Sequence, residues 1–169
     1  MPARLITLES YNPAWPDRFS KEANWLRASL GKVVVAVHHI GSTSVPGLTA
    51  KPVIDILLEV ADIAALDACA DTMQGLGYTP RGEYGIPGRR YFVKGDAART
   101  HHIHAFRTGN AHITRHLAFR DYLRAHEEIA REYEALKLAA ARDSGYQSVL
   151  YSALKNEFIA THERQALAQ

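Results

Sequence analysis

The chain has 169 residues, 47% of them hydrophobic and 22% charged, with a formal net charge of +2. The length fits one domain with a core of useful size, and the composition is that of an ordinary globular protein. A charge so near balance gives no argument for bulk nucleic-acid binding, and no motif that reads RNA or DNA is present. The single cysteine, Cys69, excludes an internal disulfide and a multi-cysteine zinc site and fits a reducing compartment. Met1-Pro2-Ala3-Arg4-Leu5 carries no apolar core before a cleavage site. No apolar run approaches the length that crosses a bilayer. The expectation is therefore a cytoplasmic domain with no membrane partner.

In chain order, the loop Tyr11-Asn12-Pro13-Ala14-Trp15-Pro16 leads into a helix with Phe19, Ala23, Leu26 and Leu30 at apolar spacing, ended by Gly31. Trp15 and Trp25 flank this helix and are expected to pack in the core rather than to stack on a base. A β-branched run predicts a strand over 33–40. A second apolar run, bounded by Pro52 and by Asp62 as a helix N-cap, predicts a strand over 53–60. Ile63, Leu66, Ala70 and Met73 predict a second helix that stops at Gly75 and Gly77, with Cys69 inside it as a buried, inert thiol. The Gly/Pro-rich stretch 78–88 predicts a short strand and a mobile loop. Strands follow over Arg90–Lys94 and His101–Arg107, joined by a turn at Gly95-Asp96. From about Asn110 the pattern is helical, in three segments near 111–124, 126–143 and 146–167. Strands followed by helices predict an α+β fold, a sheet with helices packed on it.

Three places carry the chemistry. Gly41 follows the first strand and permits close backbone approach, and Ser42, Thr43 and Ser44 offer hydroxyls beside it. A strand that stops at Gly-Ser can present N–H groups to a phosphate, although Pro46 and Gly47 make a Walker-type loop a poor fit. Asp55 stands in an otherwise apolar strand, where a carboxylate needs a partner. It reads either as a metal ligand or as half of a salt bridge to Lys51 or to an arginine. Period two puts His102 and His104 on one strand face, where two imidazoles ligate a metal, contact phosphate or simply hydrogen-bond on a polar face. Asp55 is the candidate third ligand. The segment Arg81–Arg131 holds ten Lys/Arg against five Asp/Glu, and six of the nine histidines lie between His101 and His126. This half meets an anion or is a solvated basic face.

Taken together, these pieces resemble the GrpB family. The matching stretches are Tyr11-Asn12-Pro13-Ala14-Trp15-Pro16, His39-Ile40-Gly41-Ser42-Thr43-Ser44-Val45-Pro46-Gly47-Leu48 and Lys51-Pro52-Val53-Ile54-Asp55-Ile56. Further on come His101-His102-Ile103-His104, Phe119-Arg120-Asp121-Tyr122-Leu123-Arg124, Tyr133-Glu134-Ala135-Leu136-Lys137, and Lys155 with Phe158-Ile159. The resemblance covers almost the whole chain. It implies a nucleotidyltransferase-like, polymerase-β-type fold: a mixed sheet with helices packed on it and a helical C-terminal part. It also extends to the domain fused behind dephospho-coenzyme A kinase in some bacteria. In that superfamily Gly-Ser after the first strand holds the triphosphate, and an Asp-x-Asp pair on the second strand binds divalent metals. A third acid often comes from a later strand. Carried over, Gly41 and Ser42 are the phosphate turn and Asp55 is the first acid.

The second acid falls on Leu57, where the pattern breaks. Glu59 is four residues from Asp55, about 13 Å along a strand, and is a poor substitute. The later strand offers His102 and His104 in place of a carboxylate. Two-metal transfer holds Mg²⁺ ions about 4 Å apart with oxygen ligands. One aspartate with imidazoles suits a single softer ion such as Zn²⁺ or Mn²⁺ better. The expected metal ligands are Asp55, His102 and His104, with Asp55 and His104 as the catalytic pair and Mg²⁺ or Mn²⁺, else Zn²⁺, as the ion. Lys51, Arg90, Arg120 and Lys155 are expected phosphate contacts beside Gly41 to Ser44, with Arg89, Lys94 and Arg124 as further candidates. Arg120 reads equally as a helix ion pair with Asp121. The expected ligand is a nucleoside triphosphate or similar small phosphorylated molecule. Nucleotidyl transfer, binding without turnover and metal-dependent hydrolysis are the competing functions.

Overall fold

A computed structural model describes residues 4–95 and 97–169. The first helix, α1 (Trp15–Leu30), starts with Pro16 in its first turn, where a missing N–H costs nothing, and ends at Gly31 with φ 56°. Its buried side chains are Trp15, Glu22, Ala23, Leu26 and Leu30. Trp15 is fully buried and edge-on to Tyr11, as expected for core packing. Trp25 is not in the core: it is 55% exposed, and the Lys94 ammonium lies over its ring. Glu22 is buried on the core side, where Tyr78 Oη and Lys94 Nζ both donate to its Oε1 at 2.7 and 2.9 Å. This pairing keeps a charge tolerable in an apolar layer.

Among the described residues five strands form one sheet in the order β1-β2-β5-β4-β3. They are β1 (Val34–Ile40), β2 (Ile54–Val60), β3 (Tyr78–Pro80), β4 (Arg90–Lys94) and β5 (His101–Arg107). Only β2 and β5 run parallel; the other neighbours are antiparallel. Between β2 and β3 lie α2 (Ile63–Asp67), capped by Asp62 through Ala64 N, and α3 (Ala70–Gly75). The single helix expected there is broken at Ala68-Cys69, and Cys69 sits half-buried at the start of α3. The C-terminal part is α4 (Ala111–Ala125), α5 (Glu127–Asp143) and α6 (Ser148–Leu167). Among the described residues no helix is long and apolar enough to cross a membrane.

Register decides which face does what. Ile54, Ile56, Leu58 and Val60 alternate onto one face with Ile103, Ala105 and Phe92, and α1, Leu66 and Met73 cover them. The opposite face carries Asp55, Leu57, His102, His104 and Tyr91, because Asp55 pairs with His102, and Leu57 with His104, across the parallel ladder. The far end of that face is closed by Ile40, Leu57, Phe106 and Ile113. Val45 and Leu48, from the loop after β1, are buried with Leu123 and Tyr133 of the C-terminal helices. The loop is thus fixed between sheet and helices, and a hollow is left over Asp55. The fold is α+β, as expected: a mixed sheet with helices packed on it and a helical C-terminal part.

Candidate functional site

Gly41 has φ 75° and ψ −178°, a conformation essentially confined to glycine. It is also short of space: a Cβ there would stand 2.6 Å from Asp55 Oδ2. Across the β1–β2 ladder Ile40 pairs with Asp55, so the turn begins directly beside the carboxylate. Ser42, Thr43 and Ser44 then make one 3₁₀ turn. Two of its hydroxyls are used internally. Ser44 Oγ donates to Gly41 O, and Thr43 Oγ1 lies 2.9 Å from His39 Nε2. Gly41, Ser42 and Thr43 border the cavity, Thr43 with its hydroxyl already engaged. From the helical side Arg120 Nη1 donates to His39 O and Arg124 Nε to Ser44 O, which braces the turn from outside. Arg120 also pairs with Asp121 at 2.9 Å, so it is both an ion-pair partner and a cavity residue.

Asp55, His102 and His104 meet. His102 Nδ1 is 3.5 Å and His104 Nε2 3.3 Å from Asp55 Oδ1. Burial pushes the Asp55 carboxyl up, but its hydrogen bonds with His102 and His104 outweigh this and hold it well below the usual range. For His102 burial wins over the nearby carboxylate and lowers its pKa, so it serves Asp55 as a neutral donor. His104 has its tautomer set from the other side: Arg89 Nη1 donates to its Nδ1 at 3.3 Å, which leaves the proton on Nε2 for Asp55. Both nitrogens of His104 are therefore engaged.

A carboxylate with two imidazoles has the donor chemistry of a single borderline ion. Here, however, both rings point at the same oxygen and satisfy it. Among the described residues no group of three or more His, Cys, Asp or Glu side chains is arranged to hold a metal ion. The second acid of a two-metal centre has no substitute either. Leu57 is fully buried, and Glu59 lies beside His38 and Thr108, away from the cavity. The residues present do not fit a two-metal centre.

The hollow has a volume of about 890 Å³, within the range of small-molecule sites. Among the described residues its wall carries Lys51, Lys137 and Lys155 with Arg4, Arg99, Arg115 and Arg120, against Asp55 and Glu163, and Glu163 is taken by Arg115 at 2.9 Å. The lysines crowd one another. Burial, then Lys155, lowers Lys137 to about 7; burial, then Lys51, lowers Lys155 to about 8. Burial also lowers Lys51, against the pull of Asp55. Lys137 Nζ donates to Thr49 O and lies 5.0 Å from the Tyr133 ring centre, while Lys155 lies 4.4 Å from that of Tyr151.

Of the expected phosphate contacts, Gly41, Ser42, Thr43, Lys51, Arg120 and Lys155 line this hollow. Ser44 is turned inward. Arg90 lies elsewhere: its guanidinium is bidentate on Asp67, at 2.9 and 3.1 Å, at the exposed end of β4. Lys94 serves Glu22 on the opposite face, and Arg89 is buried in the loop before β4. Lys137 was not among the expected contacts. Its signal was a lysine on the apolar face of its helix, one turn after Tyr133.

A sequence profile of the family described as GrpB protein matches residues 5–165. The chain is 47% identical over 165 residues to the UPF0157 protein YqkA of Bacillus subtilis, covering 98% of this chain and 48% of that protein. It thus spans about half the length of that relative. It is 30% identical to a dephospho-CoA kinase of Mycolicibacterium paratuberculosis, covering 98% of this chain and 46% of the kinase. The crystal structure of conserved protein GrpB from Enterococcus faecalis superposes with a TM-score of 0.91 at 42% identity, over 96% of this chain and 98% of that one. Profile, sequence and structure agree, and the chain belongs to the GrpB family.

Proposed function

We propose that the hollow over Asp55 binds a small phosphorylated molecule, in the first instance a nucleoside triphosphate. The observation that carries this reading is the charge imbalance of the wall beside an open Gly-Ser turn. Lysines set together, Lys137 buried and Lys51 and Lys155 half-buried, are unfavourable until an anion joins them, and a chain of phosphates supplies several negative oxygens at once. Gly41 and Ser42 would offer backbone N–H groups, Lys51, Lys137 and Lys155 point charges, and Arg120 a planar donor. The similarity to proteins named dephospho-CoA kinase makes dephospho-CoA a second ligand to test.

Nucleotidyl transfer is the second reading, favoured by the close approach of Asp55 to Gly41, which sets a carboxylate of the hollow against the Gly-Ser turn. A divalent ion held by Asp55, His102 and His104 would serve that reaction as a Lewis acid, but it would first have to part the existing hydrogen bonds. In the arrangement seen, His104 positions Asp55 and is not a free base. An Asp55 carboxyl held so low is a weak proton acceptor at neutral pH. Binding without turnover is therefore the better supported conclusion.

Calorimetry with ATP and with inorganic tripolyphosphate tests it. Lys137→Ala and Lys155→Ala should each weaken both ligands by about tenfold or more, the value of one charge-assisted contact. The absence of binding heat for either compound at millimolar concentration, with wild-type protein, would overturn the proposal. Metal-dependent release of pyrophosphate that Asp55→Ala abolishes would instead establish transfer.

A further inference from the structure

The loop before β4 holds an aromatic ring in a way that its exposure does not explain. Tyr84 is 63% exposed, yet its backbone sits at φ 47°, a region uncommon for a residue with a side chain and concentrated at functional sites. The loop is tied down. Arg89 is buried, and its Nε and Nη2 donate to Glu83 O and Tyr84 O at 3.1 and 2.8 Å. Glu83 Oε2 in turn accepts from Gly88 N, closing the loop on itself. The mobile loop expected over this stretch is a braced one.

The bracing runs to the centre of the hollow. The third nitrogen of Arg89, Nη1, donates to His104, which holds Asp55. Tyr84 stacks on Tyr91, with ring centres 5.1 Å apart and planes 21° from parallel. Tyr91 is itself fixed by the Arg89 guanidinium over its ring and by His102 and His104 against its edge. Tyr84 and Tyr91 line the same hollow as Gly41 and Asp55. Tyr91 stands two strands and two register positions from Asp55, about 12 Å diagonally across the sheet. A nucleoside triphosphate is long enough to reach from the one to the other.

On this basis, and resting on the phosphate-binding reading above, we infer that Tyr84 is the specificity-determining residue of the hollow, offering its ring as a stacking platform for the nucleobase. The lysine end would hold the phosphates and the Tyr84 end the planar aromatic group. Every base has a π-face, so the platform selects nucleotides over simple polyphosphates without choosing strongly among the bases.

The experiment compares ATP with inorganic tripolyphosphate on the full chain by calorimetry, in wild type, Tyr84→Ala and Tyr84→Phe, with thermal denaturation to confirm folding. Tyr84→Ala should weaken ATP by between about fivefold and about a hundredfold, the range for losing one base stack, and leave tripolyphosphate unchanged. Tyr84→Phe keeps the ring and should stay within about twofold of wild type. Tyr84→Ala affecting both ligands equally, or neither, overturns the inference, as does a wild type that binds tripolyphosphate as tightly as ATP. In each of those cases the phosphate-binding reading stands. A wild type that binds neither compound overturns both.

Discussion

Replacing Gly41 by alanine is the most demanding single test of the site's geometry. Two costs arise together. The backbone conformation, φ 75° and ψ −178°, is one that only glycine adopts readily, and holding an alanine there costs about 1–3 kcal/mol. The new methyl would also stand 2.6 Å from Asp55 Oδ2, 3.0 Å from its Cβ and 3.1 Å from its Cγ. Either the turn or the carboxylate must move. If Asp55 moves, it gives up its hydrogen bonds with His102 and His104, and losing one such bond to a charged group costs about 1.5–3 kcal/mol. The expected total is about 2.5–6 kcal/mol, a large part of the stability of a domain this size. Gly47→Ala is the control: Gly47 also has positive φ, 81°, but nothing within 4 Å of a built Cβ, so only the backbone cost remains. Urea denaturation reads both. Asp55→Ala should recover part of the Gly41→Ala loss, so that the double variant costs less than the sum of the singles. Equal destabilisation by Gly41→Ala and Gly47→Ala, or strict additivity with Asp55→Ala, would refute the argument.

Leu57→Asp restores the Asp-x-Asp spacing at a fully buried position and should destabilise by at least about 3 kcal/mol in metal-free buffer, the cost of losing a core leucine and burying a carboxylate. An unchanged urea midpoint would show that position 57 is not sealed in the core. Lys137 gives a pH dependence with a definite sign. Its folded pKa of about 7 lies below the unfolded value of 10.5, so between those values the unfolded chain binds more protons and stability rises with pH, by at most about 1.4 kcal/mol per unit for this group. Urea midpoints from pH 7 to 9.5 should climb, and Lys137→Met should flatten that climb. The same lysines make anion binding take up protons, so affinity for tripolyphosphate should fall as pH rises from 7 to 9; an affinity that rises would contradict the lysine contacts. Arg90→Ala removes an exposed pair with Asp67, and should cost no more than about 1 kcal/mol and leave ligand affinity untouched.

Short-range pattern carried much of this protein. Alternation in β2 exposed Asp55 as the odd residue of an apolar strand, and the same period put His102 and His104 on one face. The Asp62 cap, the stop at Gly31 and the three C-terminal helices were legible because each depends on residues within one or two turns. Local pattern misled where a residue's partner was distant in sequence. Trp25 has the composition of a core residue, but it lies on the solvent side of α1 under Lys94, 69 positions away. Arg90 has the chemistry of a phosphate contact, but Asp67 reaches it first.

The parts were legible along the chain: the glycine turn, the lone acid at 55, the leucine at 57 and the histidines of β5. What those parts face came from long-range packing. The parallel pairing of β2 with β5 brings His102 and His104 to one oxygen of Asp55, and α5 and α6, on the far wall of the hollow, set a buried Lys137 and a half-buried Lys155 against each other. Periodicity along a chain says which residues share a face. It carries no record of which other face will close over them, because that follows from contacts between residues dozens of positions apart.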